Sequence, residues 1–139
     1  MLRRLSIQNY ALIDVLDIEI PEHLVIITGD SGAGKYILLG ALELLLGGKA
    51  DVGVIRDPHR NCVVEAEFND LTVRRVVTPA GRSRVFVDDE PATMEQIKSI
   101  ARSYVDIHSQ NSQLLLADAA YRLSVVDACA GNEDLRRSY

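Results

Sequence analysis

The segment 29–35 constrains the fold of this chain more than any other feature of the sequence. It reads Gly-Asp-Ser-Gly-Ala-Gly-Lys, which satisfies the glycine and lysine positions of the pattern G-x-x-x-x-G-K-[ST]. A short apolar run at residues 24–28 precedes it, and a leucine-rich segment at residues 36–46 follows it. This order predicts a strand, a tight loop and a helix, which is the context in which the pattern binds phosphate.

The residue types of the loop suit an anion. Glycines let the backbone curl until successive N–H groups point inward, and the following helix adds a partial positive charge. A polyphosphate fits that concavity, and Lys35 would reach its β and γ phosphates. The alternative is a tight connection without a ligand, but a turn alone has no use for Lys35. We therefore predict a nucleotide site formed by Gly29, Asp30, Ser31, Gly32, Ala33, Gly34, Lys35 and Tyr36.

Tyr36 is the one departure from the pattern. Ser or Thr is expected there, because its hydroxyl binds Mg²⁺. A phenol is too long to place its oxygen where the shorter hydroxyl would lie. The anion cradle does not depend on this side chain, so we expect phosphate to bind, Mg²⁺ coordination to be impaired and nucleotide affinity to be weak.

Hydrophobic patterning predicts the elements around the loop. Residues 2–20 alternate with period two in two segments, which is typical of half-solvated antiparallel strands. The unbroken apolar run at 24–28 predicts a central strand covered on both faces. Residues 36–46 are leucine-rich on nearly every side and end at Gly47 and Gly48, which predicts a buried helix.

The second half of the chain begins with strands. Alternation from residue 61 to 88 predicts an antiparallel meander. Thr93 and Gln96 form a capping box ahead of a helix. Residues 104–107 predict another buried strand, and residues 117–130 predict a last helix.

Composition favours one soluble domain. The chain has 139 residues, of which 47% are hydrophobic and 25% charged, so it can build one core and is neither disordered nor collagen-like. The 15 basic residues against 20 acidic ones give a net charge of −5, so any DNA contact must be local. No apolar stretch reaches the ~20 residues that cross a bilayer. We predict a cytoplasmic protein without membrane contact.

The two cysteines, Cys62 and Cys129, lie far apart in the sequence and lack metal-type spacing. Cys62 falls in an alternating strand pattern, where a small apolar residue fits. We favour two buried thiols over a disulfide.

Four ordered segments carry a family resemblance. They are residues 1–14, the loop with residues 37–42 behind it, residues 81–87 and residues 105–110. Together they resemble the N-terminal region of the RecN family of bacterial DNA repair proteins, which is an SMC-like branch of the ABC-type ATPases. The last segment reads Val-Asp-Ile-His-Ser-Gln and departs from the family's Asp-Ile-His-Gly-Gln at Ser109. The resemblance covers essentially the whole chain.

The resemblance implies an α/β fold: the P-loop NTPase-type N-terminal lobe of an ABC/SMC-like ATPase head, with a mixed sheet around the P-loop helix and an antiparallel β meander. Such heads dimerise around two ATP molecules, and the family repairs DNA double-strand breaks by recombination at the nucleoid. Gln110 matches the glutamine that, in relatives, helps to ligate Mg²⁺ and senses the γ-phosphate. His108 has no nucleophile or orienting acid nearby in sequence, so we assign no catalytic residue.

The resemblance also implies parts that we do not find in residues 1–139. The signature motif, the Walker B strand and the coiled coil are missing, and Asp88-Asp89-Glu90 reads as a turn because Pro91 follows it. We therefore expect a single incomplete lobe without significant ATPase activity alone. Its expected partners are the remaining half of the head, DNA through the full-length assembly, and a second copy that covers exposed apolar surface in a homodimer.

Two other functions stay open. Tyr36 keeps open a degenerate structural or interaction module that binds no nucleotide. A complete small P-loop kinase is disfavoured, because it needs a lid with arginines where this chain has a meander. Arg82 and Arg84 are left between solvated strand positions and contacts to phosphate or DNA.

Overall fold

An antiparallel sheet is the frame of the molecule. The computed structural model describes residues 1–28 and 32–105, and Met1–Val105 is one compact unit. The described strands lie in the order β2-β1-β3-β4-β5-β6, and each pair of neighbours is antiparallel. The strands are β1 (Leu2–Tyr10), β2 (Ile13–Glu19), β3 (Cys62–Phe68), β4 (Thr72–Val77), β5 (Ser83–Val87) and β6 (Glu90–Ala92).

The first two strands form the hairpin that the alternation at residues 2–20 predicts. Leu5 lies opposite Ile18, and Ile7 lies opposite Leu16. Leu5 and Ile7 are buried, because alternate residues of a strand point to the same face. One face of the hairpin therefore belongs to the core.

The predicted meander is confirmed in β3, β4 and β5. Its inward positions are apolar and buried, and in β3 they are Cys62, Val64, Ala66 and Phe68. The short strand β6 extends the meander by one strand beyond the prediction.

The acidic triplet after β5 is a turn, as predicted, and its last residue begins β6. Asp88 and Asp89 have φ angles of 50° and 66°, the left-handed conformation that a tight hairpin turn needs. The Asp88 carboxylate accepts a hydrogen bond of 2.8 Å from the Thr72 backbone N–H. These contacts give Asp88 a local structural role.

Cys62 is fully buried as a free thiol, which confirms the prediction for this cysteine. Burial raises the pKa of the Cys62 thiol to about 11. Cys129 lies outside the described residues.

Helix α1 (Gly32–Leu45) packs its C-terminal half against the sheet. Ala41, Leu44 and Leu45 are buried there. The prediction of burial on all sides is wrong, because Tyr36 and Leu39 are exposed. Leucines on all sides of a helix do not ensure that every side has a packing partner. In the described structure the sheet covers only one face of α1.

The end of α1 agrees with the prediction. Gly47 follows the helix with a φ of 107°, a conformation that glycine adopts at little cost. A Cβ at this position would also lie 2.8 Å from Cγ of Lys98. Both observations explain the glycine.

Residues 24–28 are not the central strand that their apolar run predicts. They belong to no described strand, and Leu24 and Ile26 are 84% and 75% exposed. A central strand needs hydrogen-bonding neighbours at both edges and packing on both faces. An apolar run supplies hydrophobicity but does not specify those neighbours, and none of the strand pairings in the described structure includes residues 24–28.

Helix α2 (Met94–Tyr104) begins at the predicted capping box. The Thr93 side chain accepts from the Gln96 N–H, and the Gln96 side chain accepts from the Thr93 N–H. Tyr104 ends this helix and packs its ring 5.3 Å from that of Phe68, so it does not open the predicted strand at 104–107. The helix that starts at the capping box thus continues through Tyr104, whose ring packs against Phe68.

Asn9 organises the loop between α1 and β3. It is 2% exposed and has a φ of 56°. Its Oδ1 accepts from the Asp57 N–H at 2.7 Å, and its Nδ2 donates to the carbonyls of Asp57 and Arg60 at 3.0 and 2.9 Å. One buried amide therefore satisfies three main-chain groups of a neighbouring segment.

Candidate phosphate-binding site

The described part of the glycine-rich segment is the start of α1. Gly32 begins the helix, and Gly34, Lys35 and Tyr36 lie in its first two turns. Gly29, Asp30 and Ser31 lie outside the described residues. The predicted helix after the loop is thus confirmed, and it begins four residues earlier than its apolar pattern.

Gly34 has no packing reason to be glycine. A Cβ built at this position would meet no atom within 4 Å in the described structure. Glycine inside a helix costs about 1 kcal/mol relative to alanine. Gly40 in the same helix differs, because a Cβ there would lie 2.7 Å from the Tyr10 hydroxyl. Gly34 therefore needs an explanation that the contacts of the described residues do not supply.

The charge at this end of α1 suits an anion. The first turn contains no acidic side chain, so the partial positive charge of the helix N-terminus is not compensated within that turn. Lys35 is exposed there and adds a full positive charge. Exposed N–H groups and a lysine at one place are the elements of a phosphate site.

Tyr36 projects from the same end of the helix and is 63% exposed. Lys35 borders an apolar groove of about 370 Å³, which lies between α1 and residues of β1, β2 and the segment 20–27. The groove is lined mainly by Leu2, Ile18, Ile20, Val25, Leu38 and Leu42. A cationic side chain and an uncovered apolar surface are therefore adjacent.

The described structure does not locate every residue that the sequence singled out. Gln110 and His108 lie outside the described residues. Arg82 precedes β5 and Arg84 lies within it, and both are exposed. Within residues 1–28 and 32–105, no three His, Cys, Asp or Glu side chains are grouped to hold a metal ion. The described residues thus offer phosphate-binding groups without a carboxylate metal site.

Sequence reasoning missed Arg75, a charged residue in the core at the other end of α1. Its guanidinium donates to the main-chain carbonyls of Leu44 and Gly48. The signal was present, because Arg75 lies between Val73 and Val77 in the alternation that points toward the core. The alternation of side chains along β4 alone would have predicted that Arg75 faces the core.

Comparison with curated proteins gives a consistent family of relatives. The DNA repair protein RecN of Vibrio cholerae is 31% identical over 99% of this chain. RecN of Rickettsia typhi is 32% identical over 92% of it, and RecN of Bacillus subtilis 29% identical over 96%. This chain is RecN-like in sequence. It spans 28%, 26% and 27% of these three relatives, respectively, and no family model matches it.

Solved structures show the fold of the RecN-like chain. A structure from a study of ATP-driven dimerisation and DNA-stimulated activation of SMC ATPases matches 91% of this chain and 97% of its own, with a TM-score of 0.67 and 17% identity. The recombination mediator RecF with ATP matches 95% of this chain and 39% of its own, with a TM-score of 0.68 and 17% identity. The predicted fold class, an α/β lobe of an ABC/SMC-like ATPase head, is confirmed.

The described part of the RecN-like chain contains two α-helices, α1 and α2. Neither α1 nor α2 combines the length and the apolar character that crossing a bilayer requires.

Proposed function

We propose that this chain is the ATP-binding lobe of a RecN-like ATPase that acts in repair of DNA double-strand breaks by recombination. In this proposal the triphosphate lies in the loop formed by residues 29–35, at the N-terminus of α1. The observation that carries the proposal is Gly34, a helical glycine that no contact within the described protein explains. A close approach between the backbone and a phosphate explains it.

The loop would hold the phosphates and leave the base to other residues, so the proposal of ATP rests on the family resemblance. RecF, a structural neighbour, was solved with ATP. Lys35 would hold the β and γ phosphates, and Gln110 would help to ligate Mg²⁺. The phenol of Tyr36 stands where a short hydroxyl normally ligates the ion, so Mg²⁺ would contribute little to binding.

Hydrolysis by this chain alone is not part of the proposal. Phosphoryl transfer needs groups that stabilise the transferring phosphate and orient water. Among the described residues, no three His, Cys, Asp or Glu side chains are arranged to hold a metal ion. We propose that the remaining half of the head supplies them, and that DNA is contacted through the full-length assembly in the cytoplasm.

The exposed apolar surface favours association. Leu24, Ile26 and Ile27 are more than half exposed, and they adjoin the apolar groove beside α1. Surface of this kind marks an interface or drives self-association. We propose that another part of the head covers it in the assembly, and that a homodimer covers it when this chain is alone.

Two observations favour a second function, an interaction module that binds no nucleotide. Tyr36 removes the usual Mg²⁺ hydroxyl, and the same end of α1 carries the apolar surface. Such a module has no use for a glycine at position 34. The two functions therefore predict opposite consequences for a change at that position.

The experiment that tests the proposed function is Gly34→Ala with two readouts. We expect the unfolding free energy to rise by about 0.5–1 kcal/mol, because alanine is the better helix residue. ATP affinity should fall by about tenfold, since the added methyl group would stand where backbone and phosphate approach. Chemical denaturation and calorimetric titration measure the two quantities. A wild-type chain that binds no ATP would exclude the proposal.

Tyr36→Ser provides a separate prediction about the metal ion. In the wild type, Mg²⁺ is expected to strengthen ATP binding by less than about twofold, whereas in Tyr36→Ser it should do so by about tenfold, because the shorter hydroxyl can ligate the ion. Titrations with Mg²⁺ and with EDTA measure this difference. Tyr36→Phe is the control, since it keeps the ring and offers no hydroxyl. An equal Mg²⁺ effect in all three proteins would contradict the prediction.

A further inference from the structure

Arg75 is a buried charge that joins three parts of the lobe. It lies on β4 and is 3% exposed. Its Nη1 donates to the Leu44 carbonyl and, at 2.7 Å, to the Gly48 carbonyl, both at the C-terminal end of α1. Its Nε donates to the Ser83 hydroxyl on β5 at 2.9 Å. A single side chain therefore fixes the end of α1 to the β4–β5 hairpin.

The bonding of this guanidinium is not that of a salt bridge. Its hydrogen bonds within the described residues go to two carbonyls and a hydroxyl, and no carboxylate pairs with it there. Burial lowers the pKa of Arg75, which reflects the cost of removing the charge from water. The last turn of α1 has no basic residue of its own, so Arg75 supplies the cation that a helix C-terminus favours.

An apolar side chain would fill the same space without that cost. What the guanidinium adds is geometry, because its planar fork holds several acceptors in fixed directions. Leu44, Gly48 and Ser83 are thereby held at defined positions relative to β4. The fixed object is the C-terminal end of the helix whose other end begins in the glycine-rich loop.

The packing of α1 makes its C-terminal end the part that determines the orientation of the helix. Its buried residues, Ala41, Leu44 and Leu45, all lie in its C-terminal half, while Lys35 and Tyr36 in the N-terminal half are exposed. The helix has 14 residues. At that length it is about 20 Å long, so a tilt of about 3° at the anchored end moves the other end by about 1 Å. A displacement of that size is enough to impair a site that depends on positioning.

We propose that Arg75 is a positioning residue for the phosphate site: by tying the Leu44 and Gly48 carbonyls to Ser83, it sets the orientation of α1 and hence the place of Lys35 and the helix N-terminus. The inference rests on the proposed phosphate-binding function. It also makes the β4–β5 hairpin a structural support of that site.

Arg74, the neighbouring residue, is a matched control for the loss of a charge. It points to the opposite face of the sheet, pairs with Asp89 at 2.8 Å and with Glu65 at 3.4 Å, and places its guanidinium 5.0 Å from the Phe86 ring. None of these partners belongs to α1. Removing Arg74 therefore changes the same net charge without releasing the helix.

The test compares four variants of the full chain by ATP titration. Arg75→Met is expected to weaken binding by about tenfold. Arg75→Lys is expected to recover only part of the affinity, because an ammonium can still donate to the carbonyls but lacks the planar fork that also reaches Ser83. Arg74→Met and Val73→Ala should bind ATP as the wild type does. Val73 is fully buried on the same strand, so its truncation controls for lost stability. Wild-type affinity in Arg75→Met, or an equal loss in Val73→Ala, would overturn the inference.

Hydrogen exchange separates this inference from the function on which it rests. If the wild type binds no ATP, the proposed function fails. The hydrogen exchange of the amides of residues 36–40 then still tests whether Arg75 holds the end of α1. They should exchange at least about tenfold faster in Arg75→Met than in Val73→Ala, because only the former releases the helix end. Equal exchange in the two variants would overturn the positioning role.

Discussion

Replacing Lys35 with alanine is expected to weaken ATP binding by about 100-fold or more while leaving the fold intact. The lysine is exposed at the start of α1 and makes no ion pair within the described residues. Its removal therefore breaks no ion pair of the described structure. What is lost is a charge-assisted contact to the terminal phosphates, which water replaces poorly inside a cradle of N–H groups.

Calorimetric titration with ATP measures the loss, and chemical denaturation should show a change in unfolding free energy below about 0.5 kcal/mol. Lys49→Ala is the control, because this lysine is also exposed and follows the opposite end of the same helix. It removes an equal charge, so a general electrostatic effect would weaken ATP binding in both variants. Retained affinity in Lys35→Ala would show that the triphosphate does not lie in the loop.

Replacing Asn9 with alanine is expected to lower the unfolding free energy by about 3 kcal/mol. The amide is buried and satisfies an N–H and two carbonyls of the loop between α1 and β3. Alanine leaves these groups without a partner. It must also adopt a φ of 56°, which asparagine tolerates better than alanine.

Asn9→Gly separates the two causes. Glycine adopts the left-handed conformation freely but makes no side-chain bonds, so it should lose about 1 kcal/mol less than alanine. Urea denaturation of the three proteins gives the comparison. If Asn9→Ala lies within about 1 kcal/mol of the wild type, the loop does not depend on this amide.

Local patterns predicted those parts of the fold that depend on local physics. The alternation of apolar residues gave the strands of the β1–β2 hairpin and of the meander, because side chains of a strand alternate between faces. The Thr93 and Gln96 pair gave the start of α2, because a capping box is complete within four residues. The turn at Asp88 followed from the residues around it.

Features that depend on distant partners were not predictable in this way. Residues 24–28 have the composition of a central strand, yet no described strand pairs with them. Arg75 and Asn9 lie on core-facing positions of strands, but their acceptors belong to segments that are distant in sequence. Polar residues at core-facing positions of a predicted strand are the signal to look for in a sequence, because each of them needs hydrogen-bond partners that the fold must bring close.

The sequence motif predicted the part of the candidate site that consists of consecutive residues. Gly34, Lys35 and Tyr36 lie together at the start of a helix, as the pattern requires. The pattern did not reveal that Gly34 has free space around it, and only the structure separates it from Gly40, which packs against Tyr10. The placement of Gln110 stays a prediction.

The buried thiol of Cys62 can report how often this lobe opens transiently. With a pKa of about 11, the thiol is ionised to only about one part in ten thousand at neutral pH, and no solvent reaches it in the closed state. An alkylating reagent can therefore react with Cys62 only after β3 has parted from the elements that cover it. The modification rate of this cysteine, followed by mass spectrometry of its own peptide, records how often the protein opens.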